Sequence, residues 1–509
     1  MRAAVPDALG PPVVCAPLGV ERRALDVDAL RGVRIVRTGM GRRSAGTARA
    51  LGADGPRPVL VAGVAGALAP QVRPGDVVVA SEVRDGCGGR EPVAVPTAKP
   101  LAAALRALGL RVHVGPVVTT DGVVDGDART ALATTGALAV DMESADLVAA
   151  AAGGPFAVVR VVVDTPGAPL LRPGTPVRGL TALRTLRRAA PALRAWLDAC
   201  APRTVRLAEP RSFCAGVERA IEIVDRAIDR FGAPVYVRRQ IVHNAHVVRR
   251  LTDRGAIFVQ EVDEVPRGAH VVLAAHGVSP AVRADADARD LQVVDATCPL
   301  VAKVHTEVKR HTARGQSVLL IGHADHEEVE GTLGEAPAHI TVVEDEQHAR
   351  TVDVPDPTRV AYAMQTTLAV DEAMRIAAIL RERFPAIRAP RQDDICYATT
   401  NRQRAIRAVA ADVDLVVVVG SPNSSNSRRL AEVAARQGVP AHLVDDVGEL
   451  DLTWFAGVRR VGLSAGASAP DDLVDEVVSC VSGLGPVTVT ATPTGSENVR
   501  FTLPKEVSR

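Results

Sequence analysis

The chain has 509 residues, 47% of them apolar, which bounds it at about two to four domains with cores filled by Ala, Val and Leu, since aromatics make up only 2%. A net charge of +1 excludes nucleic-acid or anionic-membrane binding carried by bulk charge. Seven cysteines, an odd number widely spaced, exclude a disulfide framework and fit a reducing compartment. No apolar run reaches the roughly 18 residues a membrane span needs. Early prolines and the lack of a clean apolar core after Arg2 give no signal-peptide pattern. A soluble cytoplasmic protein is expected, with no membrane span and no nucleic-acid partner.

Strands and helices alternate from end to end, which predicts α/β architecture. A long Arg/Ala/Leu helix over Thr181–Ala199 and a new strand over Thr204–Ala208 flank a break at Ala201-Pro-Arg-Thr204. Two domains are expected, residues 1–203 and 204–509. In the first, a strand over Pro12–Leu18 ends near Glu21, and a second strand enters a glycine turn at Thr38-Gly39. Gly39, Gly41 and Gly46 do not space as a dinucleotide fingerprint. The longest apolar run, between Pro58 and Pro70, reads as a buried strand plus a turn at Gly63–Gly66. Such glycines admit either an anion at backbone amides or close helix–sheet packing. Asp141-Met142-Glu143-Ser144-Ala145 places an acidic pair around a methionine at the start of an Ala-rich helix.

With the Arg160-Val-Val-Val-Asp164 strand end, this ordering resembles the nucleoside phosphorylase and nucleosidase family over roughly residues 11–195. The resemblance implies that Glu143 binds ribose hydroxyls, Met142 packs on the sugar and Asp164 protonates the leaving base. Carboxylates suit both tasks, as acceptors for a diol and as a general acid when protonated. Val64 stands where the family has a hydroxyl residue, and Val163 where it has Ser, with Thr165-Pro-Gly following. A phosphorolytic or hydrolytic N-glycosidic site is expected. The alternative is a non-catalytic nucleoside-binding or structural module.

In the second half, strand after strand runs into polar residues: Val271–Ala275 into His276, Val318–Ile321 into His323 and His326, Val360–Met364 into Thr366, Leu415–Val419 into Ser421–Ser427, and Val461–Leu463 into Ser464–Ser468. Ligands bind off the carboxyl ends of strands in open α/β sheets. Hydroxyl, imidazole and amide groups there suit a diphosphate. Three cysteines sit at loop-to-helix junctions. Cys214 precedes a helix with apolar residues at Val217, Ile221, Val224, Ile228 and Phe231. Cys298 follows Asp295-Ala-Thr, and Cys396 follows Asp393-Asp-Ile before a segment periodic in Ile406, Val409 and Val413. A thiol at a helix start is expected to favour its thiolate. Three thiolates suit an iron–sulfur cubane with one open iron, or zinc with a fourth ligand; singly, each reads as a packed thiol. Cys15, Cys87, Cys200 and Cys480 read as packing or surface residues.

The motifs Phe-Cys214-Ala-Gly-Val, Ile-Val-His243-Asn, Ala-His276-Gly-Val-Ser, Asp-Ala-Thr-Cys298-Pro, Asp-His326-Glu-Glu328-Val-Glu-Gly-Thr, Gln-Thr366-Thr, Cys396-Tyr-Ala-Thr-Thr-Asn-Arg, Asn-Ser424-Ser425-Asn426-Ser and Ala-Ser468-Ala-Pro resemble the hydroxymethylbutenyl diphosphate reductase family, from about Arg206 to Lys505. The family catalyses the last step of the methylerythritol phosphate route to isoprenoids. The resemblance implies three α/β lobes around a [4Fe–4S] cluster ligated by Cys214, Cys298 and Cys396. It implies a diphosphate gripped by His243, His276, His326, Ser424, Ser425, Asn426 and Ser468. Thr366 would orient the substrate hydroxyl and Glu328 would supply a proton. Two electrons from an external donor of ferredoxin or flavodoxin type would yield isopentenyl and dimethylallyl diphosphate. Glu327 replaces a proline common in that loop, and Met364 a frequent threonine. His246, His305 and His323 are read as structural groups beside the site.

Overall fold

The computed structural model describes residues 8–170 and 173–508. The chain divides into two compact units. One runs through Val205 and takes in Asp446–Val461 and Asp475–Thr490; the other holds Arg206–Asp445, Gly462–Val474 and the segment from Ala491 onward. The sequence places only one cut, and the two later stretches that group with the first unit carry no composition signal. No helix among the described residues is long and apolar enough to cross a membrane.

The first unit is built on an eight-stranded sheet that closes on itself. Val59–Ala67, Ala139–Asp141, Val112–Thr119, Val77–Asp85 and Phe156–Asp164 pair in a ring, and Val13–Ala16 and Arg34–Arg37 extend it. Val59–Ala67 and Phe156–Asp164 are Val-rich and buried along nearly their whole length, as expected of strands covered on both faces. The glycines of the apolar run are not in a turn. Gly63 and Gly66 lie inside the strand Val59–Ala67. A methyl group on Gly63 would meet the Glu21 carboxylate at 2.7 Å and the Arg160 guanidinium at 2.8 Å, and one on Gly66 the Arg129 guanidinium at 2.8 Å. These glycines make room for buried charged side chains. The acidic-pair motif also differs from its reading: Asp141 ends a strand, and the helix that follows is only Ser144–Leu147 plus one tighter turn, Val148–Ala151.

The rest of the chain forms three further sheets. Ala256–Val259, Val235–Arg238, His270–Leu273 and Gln292–Asp295 make the first, in that order and all parallel. Ile340–Val343, Ser317–Ile321 and Val360–Met364 make the second, also parallel. The third has the order Ala441–Val444, Leu415–Val419, Arg460–Ala465, Arg203–Glu209, Val487–Pro493. Separate apolar clusters lie around the sheets, for example Ile223, Val224, Val237 and Val272 about the first and Leu319, Tyr362, Ile376 and Leu380 about the second. The helix Ala215–Phe231 buries Ile221, Val224 and Ile228, with Val217 and Phe231 packed at the edge of the same cluster.

Arg402 ties two cysteine-bearing segments together. It is fully buried on the helix Tyr397–Ala410. Its guanidinium donates to the carbonyls of Ser212 at 2.7 Å and Phe213 at 3.1 Å, just before Cys214, and to the Glu497 carboxylate at 3.0 Å. Removing it takes the ion partner from the half-buried Glu497 carboxylate, which keeps the Asn401 amide at 3.1 Å, and takes its donation from the Ser212 and Phe213 carbonyls. Arg402→Met is expected to cost about 3–5 kcal/mol, the scale for breaking a buried ion pair from one side, read as lowered thermal stability beside wild type.

Candidate functional sites in the two units

Every diphosphate-binding, proton-donating and cysteine residue named from the second half lines one cleft of about 780 Å³. Three sheets converge on it through their strand ends. The backbone N–H of Cys214 donates to Ala467 O, that of Cys298 to Ala275 O and that of Cys396 to Thr366 O, at 3.4, 3.0 and 3.1 Å. Each cysteine is thereby pinned to the loop leaving a strand of a different sheet, and each is the N-cap of its helix. A Cβ built on Gly216 would lie 2.8 Å from Cys298 Sγ and 3.8 Å from Cys214 Sγ, so both sulfurs close on one point. Tyr397, beside Cys396, accepts the Ala215 N–H at 3.2 Å through its hydroxyl.

The helix-start position does not make Cys298 and Cys396 acidic. Burial pushes Cys298 up to about 12, with the neighbouring cysteines adding to it. Burial likewise pushes Cys396 up to about 11, against N–H and hydroxyl donation from Thr399. Desolvation outweighs the helix dipole. No Lys or Arg lines the cleft. Crowded sulfurs of this kind, two of them held as thiols by burial, are a donor set that a bound metal centre would stabilise as thiolates.

Beyond the sulfurs stand the polar groups. The His243 and His276 rings stack at 4.1 Å and 18°, and His326 meets both edge-on at 5.7 and 5.9 Å. Burial holds His243 and His326 neutral, with pKa values lowered to about 2 and about 3. The Glu328 backbone N–H donates to His326 Nδ1 at 3.1 Å, so the ring proton sits on Nε2. Ser424 caps the helix Ser425–Ala435 and shares hydroxyl contacts with Ser427 and Ser468 at 3.0 and 3.3 Å. Asn426 accepts the Ala467 N–H at 3.0 Å and donates to Thr399 at 3.3 Å. Ser425 takes up Thr367 at 3.1 Å.

Glu328 is 2% exposed, and both its oxygens face Thr366: the backbone N–H reaches Oε1 at 2.7 Å and the hydroxyl Oε2 at 2.9 Å. Burial raises its pKa to about 7 in spite of those bonds. The next residue back behaves oppositely. Glu327 is held down at about 2: burial raises it, but the His276 ring and charge prevail. Asp394, read in the sequence only as one of the acidic pair before Cys396, accepts the Met364 N–H at 3.0 Å and pairs with Lys303 at 3.2 Å. His305 pairs with Glu335 at 2.7 Å and His323 with Arg429, and neither lines the cleft.

In the first unit a second cleft is lined by Glu21, Met142, Glu143 and Asp164, among Leu18, Met40, Val64, Val123 and Leu170. Glu21, placed by the sequence only as a turn residue, accepts the N–H groups of Leu18 at 2.6 Å and Val64 at 2.8 Å. Arg160, fully buried, pairs with Asp141 at 2.7 Å and Glu143 at 3.0 Å. Burial raises the Glu143 pKa, with Arg160 opposing. Arg129 pairs with Asp164 at 2.6 Å and donates to Ala67 O at 2.7 Å. The sequence marks Arg160 only as the start of the strand-end motif, with no partner assigned, and nothing marks Arg129 in a chain rich in arginine throughout.

The family model described as LytB protein matches residues 205–482, more than half of the chain. The chain belongs to the LytB protein family. Residues 30–200 match a second model, the Phosphorylase superfamily. A Mycobacterium bovis protein described as 4-hydroxy-3-methylbut-2-enyl diphosphate reductase 2 is 54% identical over 308 residues, which cover 60% of this chain and 94% of that protein. A reductase of the same description from Xanthomonas oryzae is 55% identical over 308 residues, 60% of this chain and 98% of its own. The solved structure of the E-1-hydroxy-2-methyl-but-2-enyl-4-diphosphate reductase from Plasmodium falciparum is 35% identical with a TM-score of 0.58, covering 60% of this chain and 97% of that one. The LytB region thus carries the sulfur-and-imidazole cleft, and the phosphorylase-like region carries the Glu21–Asp164 cleft.

The LytB cleft leaves no room for a side chain at Gly216. Gly216→Ala would drive a methyl into Cys298 Sγ. The expected result is depleted iron and sulfide per chain after reconstitution, with turnover down about 100-fold, the cost of a displacement near 1 Å at reacting groups.

Proposed function

We propose that the LytB region reduces 4-hydroxy-3-methylbut-2-enyl diphosphate to isopentenyl and dimethylallyl diphosphate, with a [4Fe–4S] cluster on Cys214, Cys298 and Cys396. The observation that carries this reading is the single cleft in which three cysteines from three sheets face Glu328, Thr366 and three imidazoles. When bound, the cluster supplies electrons and Lewis-acid polarisation; the electrons come from an external donor of ferredoxin or flavodoxin type. The chain's own residues hold the substrate and place the proton. His243, His276, His326, Ser424, Ser425, Asn426 and Ser468 grip the diphosphate. His326 does so as a donor through Nε2, because its Nδ1 is taken by the Glu328 N–H. Thr366 positions the substrate hydroxyl. Glu328, protonated up to about pH 7 in its buried setting, donates the proton that lets the hydroxyl leave as water.

For the phosphorylase-like region the proposed activity is cleavage of a purine nucleoside at its N-glycosidic bond, with Glu143 and Met142 on the sugar and Asp164 on the base. A second reading has a specific observation behind it. Asp164 Oδ2 is already taken by the Arg129 guanidinium at 2.6 Å, so that oxygen is engaged within the protein and is not free to face a leaving base. That favours a nucleoside-binding module without turnover. Full-length protein incubated with adenine nucleosides, with and without phosphate, separates the two. Base release abolished by Asp164→Asn supports the enzyme; calorimetric binding with no release supports the module.

Glu328→Gln should lower reductase turnover by about 10²–10⁴-fold, the contribution of a positioned general acid. The ordinary carboxylate value of 4.5 is raised to about 7 in the folded protein, so the donor form persists below that pH and is lost above it. In wild type kcat/KM should therefore fall about tenfold per pH unit on the alkaline side of 7, a limb missing from Glu328→Gln.

A further inference from the structure

We propose that His305 is a positioning residue of the LytB cleft, whose ring sets the spacing of the three segments that carry Cys298, His276 and Glu328. His305 lies about two turns along the helix Pro299–Thr312, which Cys298 caps. It is 7% exposed and does not line the cleft. Two other segments come up against its ring. A methyl group on Gly277, the residue after His276, would stand 3.0 Å from His305 Nε2 and 3.2 Å from Val301 Cγ1, one turn earlier on the same helix. A methyl group on Gly331, three residues after Glu328, would stand 3.4 Å from His305 Cε1 and 3.3 Å from the Gly277 carbonyl oxygen. Gly277 is also called for by its φ of 79°. Gly331 has no such reason. It is buried inside the helix Glu327–Leu333, where glycine costs helix stability, and what it admits is the close approach of Gly277 and the His305 ring.

Packing alone does not account for a histidine at this point. His305 Nε2 is buried without a hydrogen-bond partner, a cost that a Leu or Phe in the same space would avoid. What the imidazole adds is orientation. Nδ1 donates to the Glu335 carboxylate at 2.7 Å, and the Lys309 ammonium lies 2.9 Å from the other oxygen of Glu335. That bond fixes the plane of the ring, and a ring of fixed plane holds its neighbours at a fixed separation. Glu335 follows directly on the Glu328 helix, its N–H donating to Thr332 O at 3.1 Å. One hydrogen bond therefore links the helix that Cys298 caps to the helix that bears Glu328, with the loop of His276 packed against the ring between them.

This role rests on the reductase reading, which turnover of the wild-type holoenzyme tests by itself. The experiment compares His305→Ala, Glu335→Leu and Glu335→Gln as full-length, anaerobically reconstituted proteins. His305→Ala should keep its iron per chain and visible absorption, because the Cys298 N–H is still pinned to Ala275 O. Its kcat should fall about 100-fold, the cost of a displacement near 1 Å at reacting groups. Its calorimetric affinity for inorganic diphosphate should fall about tenfold, the scale for losing the partner of a binding side chain. Glu335→Leu, which leaves the ring but frees its plane, should shift both quantities in the same direction. Glu335→Gln, which still offers Nδ1 an acceptor oxygen, should restore most of the loss. In a Glu328→Gln background the kcat effect of His305→Ala should largely vanish, since misplacing an absent acid costs little. If His305→Ala does not fold, the two Glu335 variants carry the comparison. Wild-type kcat and diphosphate affinity in the variants, a loss that follows iron content, a loss undiminished in Glu328→Gln, or Glu335→Gln as impaired as Glu335→Leu overturns the proposal.

Discussion

Three cysteines lining one cleft, with no Lys or Arg among the described residues that line it, are the constraint on which the LytB region turns. As thiols they are merely packed, with Cys298 and Cys396 pushed up to about 12 and about 11 by burial. As thiolates they repel across a low dielectric, and no helix terminus offsets that. The chain holds them in place through backbone. Each cysteine N–H is fixed to a carbonyl at a strand end, and Arg402 locks the Cys214 approach to the Cys396 helix through buried carbonyls. Rigid placement by main-chain bonds makes a costly arrangement of side chains reproducible, and the proposed metal centre would offset the electrostatic cost with its binding free energy.

The same strand ends explain why the groups proposed to hold the diphosphate are neutral. His243 and His326 are held unprotonated by burial, and Ser424, Ser425, Asn426 and Ser468 carry no charge. Neutral donors fixed by helix caps and hydroxyl chains recognise an anion through geometry, without the long flexible stems of Lys or Arg. Much of this was legible. The junction cysteines, the strand ends and the histidine motifs are local features, each written within a few residues. The helix after Cys214 follows its apolar period, and the strand runs into His276, Thr366 and Ser468 lie within a few residues of the boundaries read for them.

What escaped the sequence depends on contacts between distant segments. Arg402, Arg160 and Arg129 are buried ion-pair partners in a chain where arginine is common, so identity alone cannot mark them. Gly63 and Gly66 were read as a turn because glycine clusters usually bend a chain. Here they are strand positions emptied so that Glu21, Arg160 and Arg129 can approach. Glu21 itself is visible as a carboxylate beyond a strand, but only the fold brings it to the Val64 N–H, 43 positions away. The helix-dipole expectation for Cys396 failed for a related reason: burial is a property of the whole assembly of lobes, and it exceeds any local term.

Glu327 and Glu328 show how finely the surroundings divide equal side chains. They are neighbours on one short helix, yet one is held at about 2 and the other raised to about 7. Successive helical positions face different directions. Glu328 turns inward to Thr366, where a neutral N–H and a hydroxyl are its only close partners and desolvation prevails. Glu327 faces the imidazoles, and the His276 ring at 3.2 Å favours its charge. Paired groups driven apart in pKa divide acid and charge-bearing roles between them. The inward glutamate keeps a proton at neutral pH beside the sulfurs, and the outward one keeps a charge beside the phosphate-binding rings. Neither could take the other's part without turning the helix by about 100°.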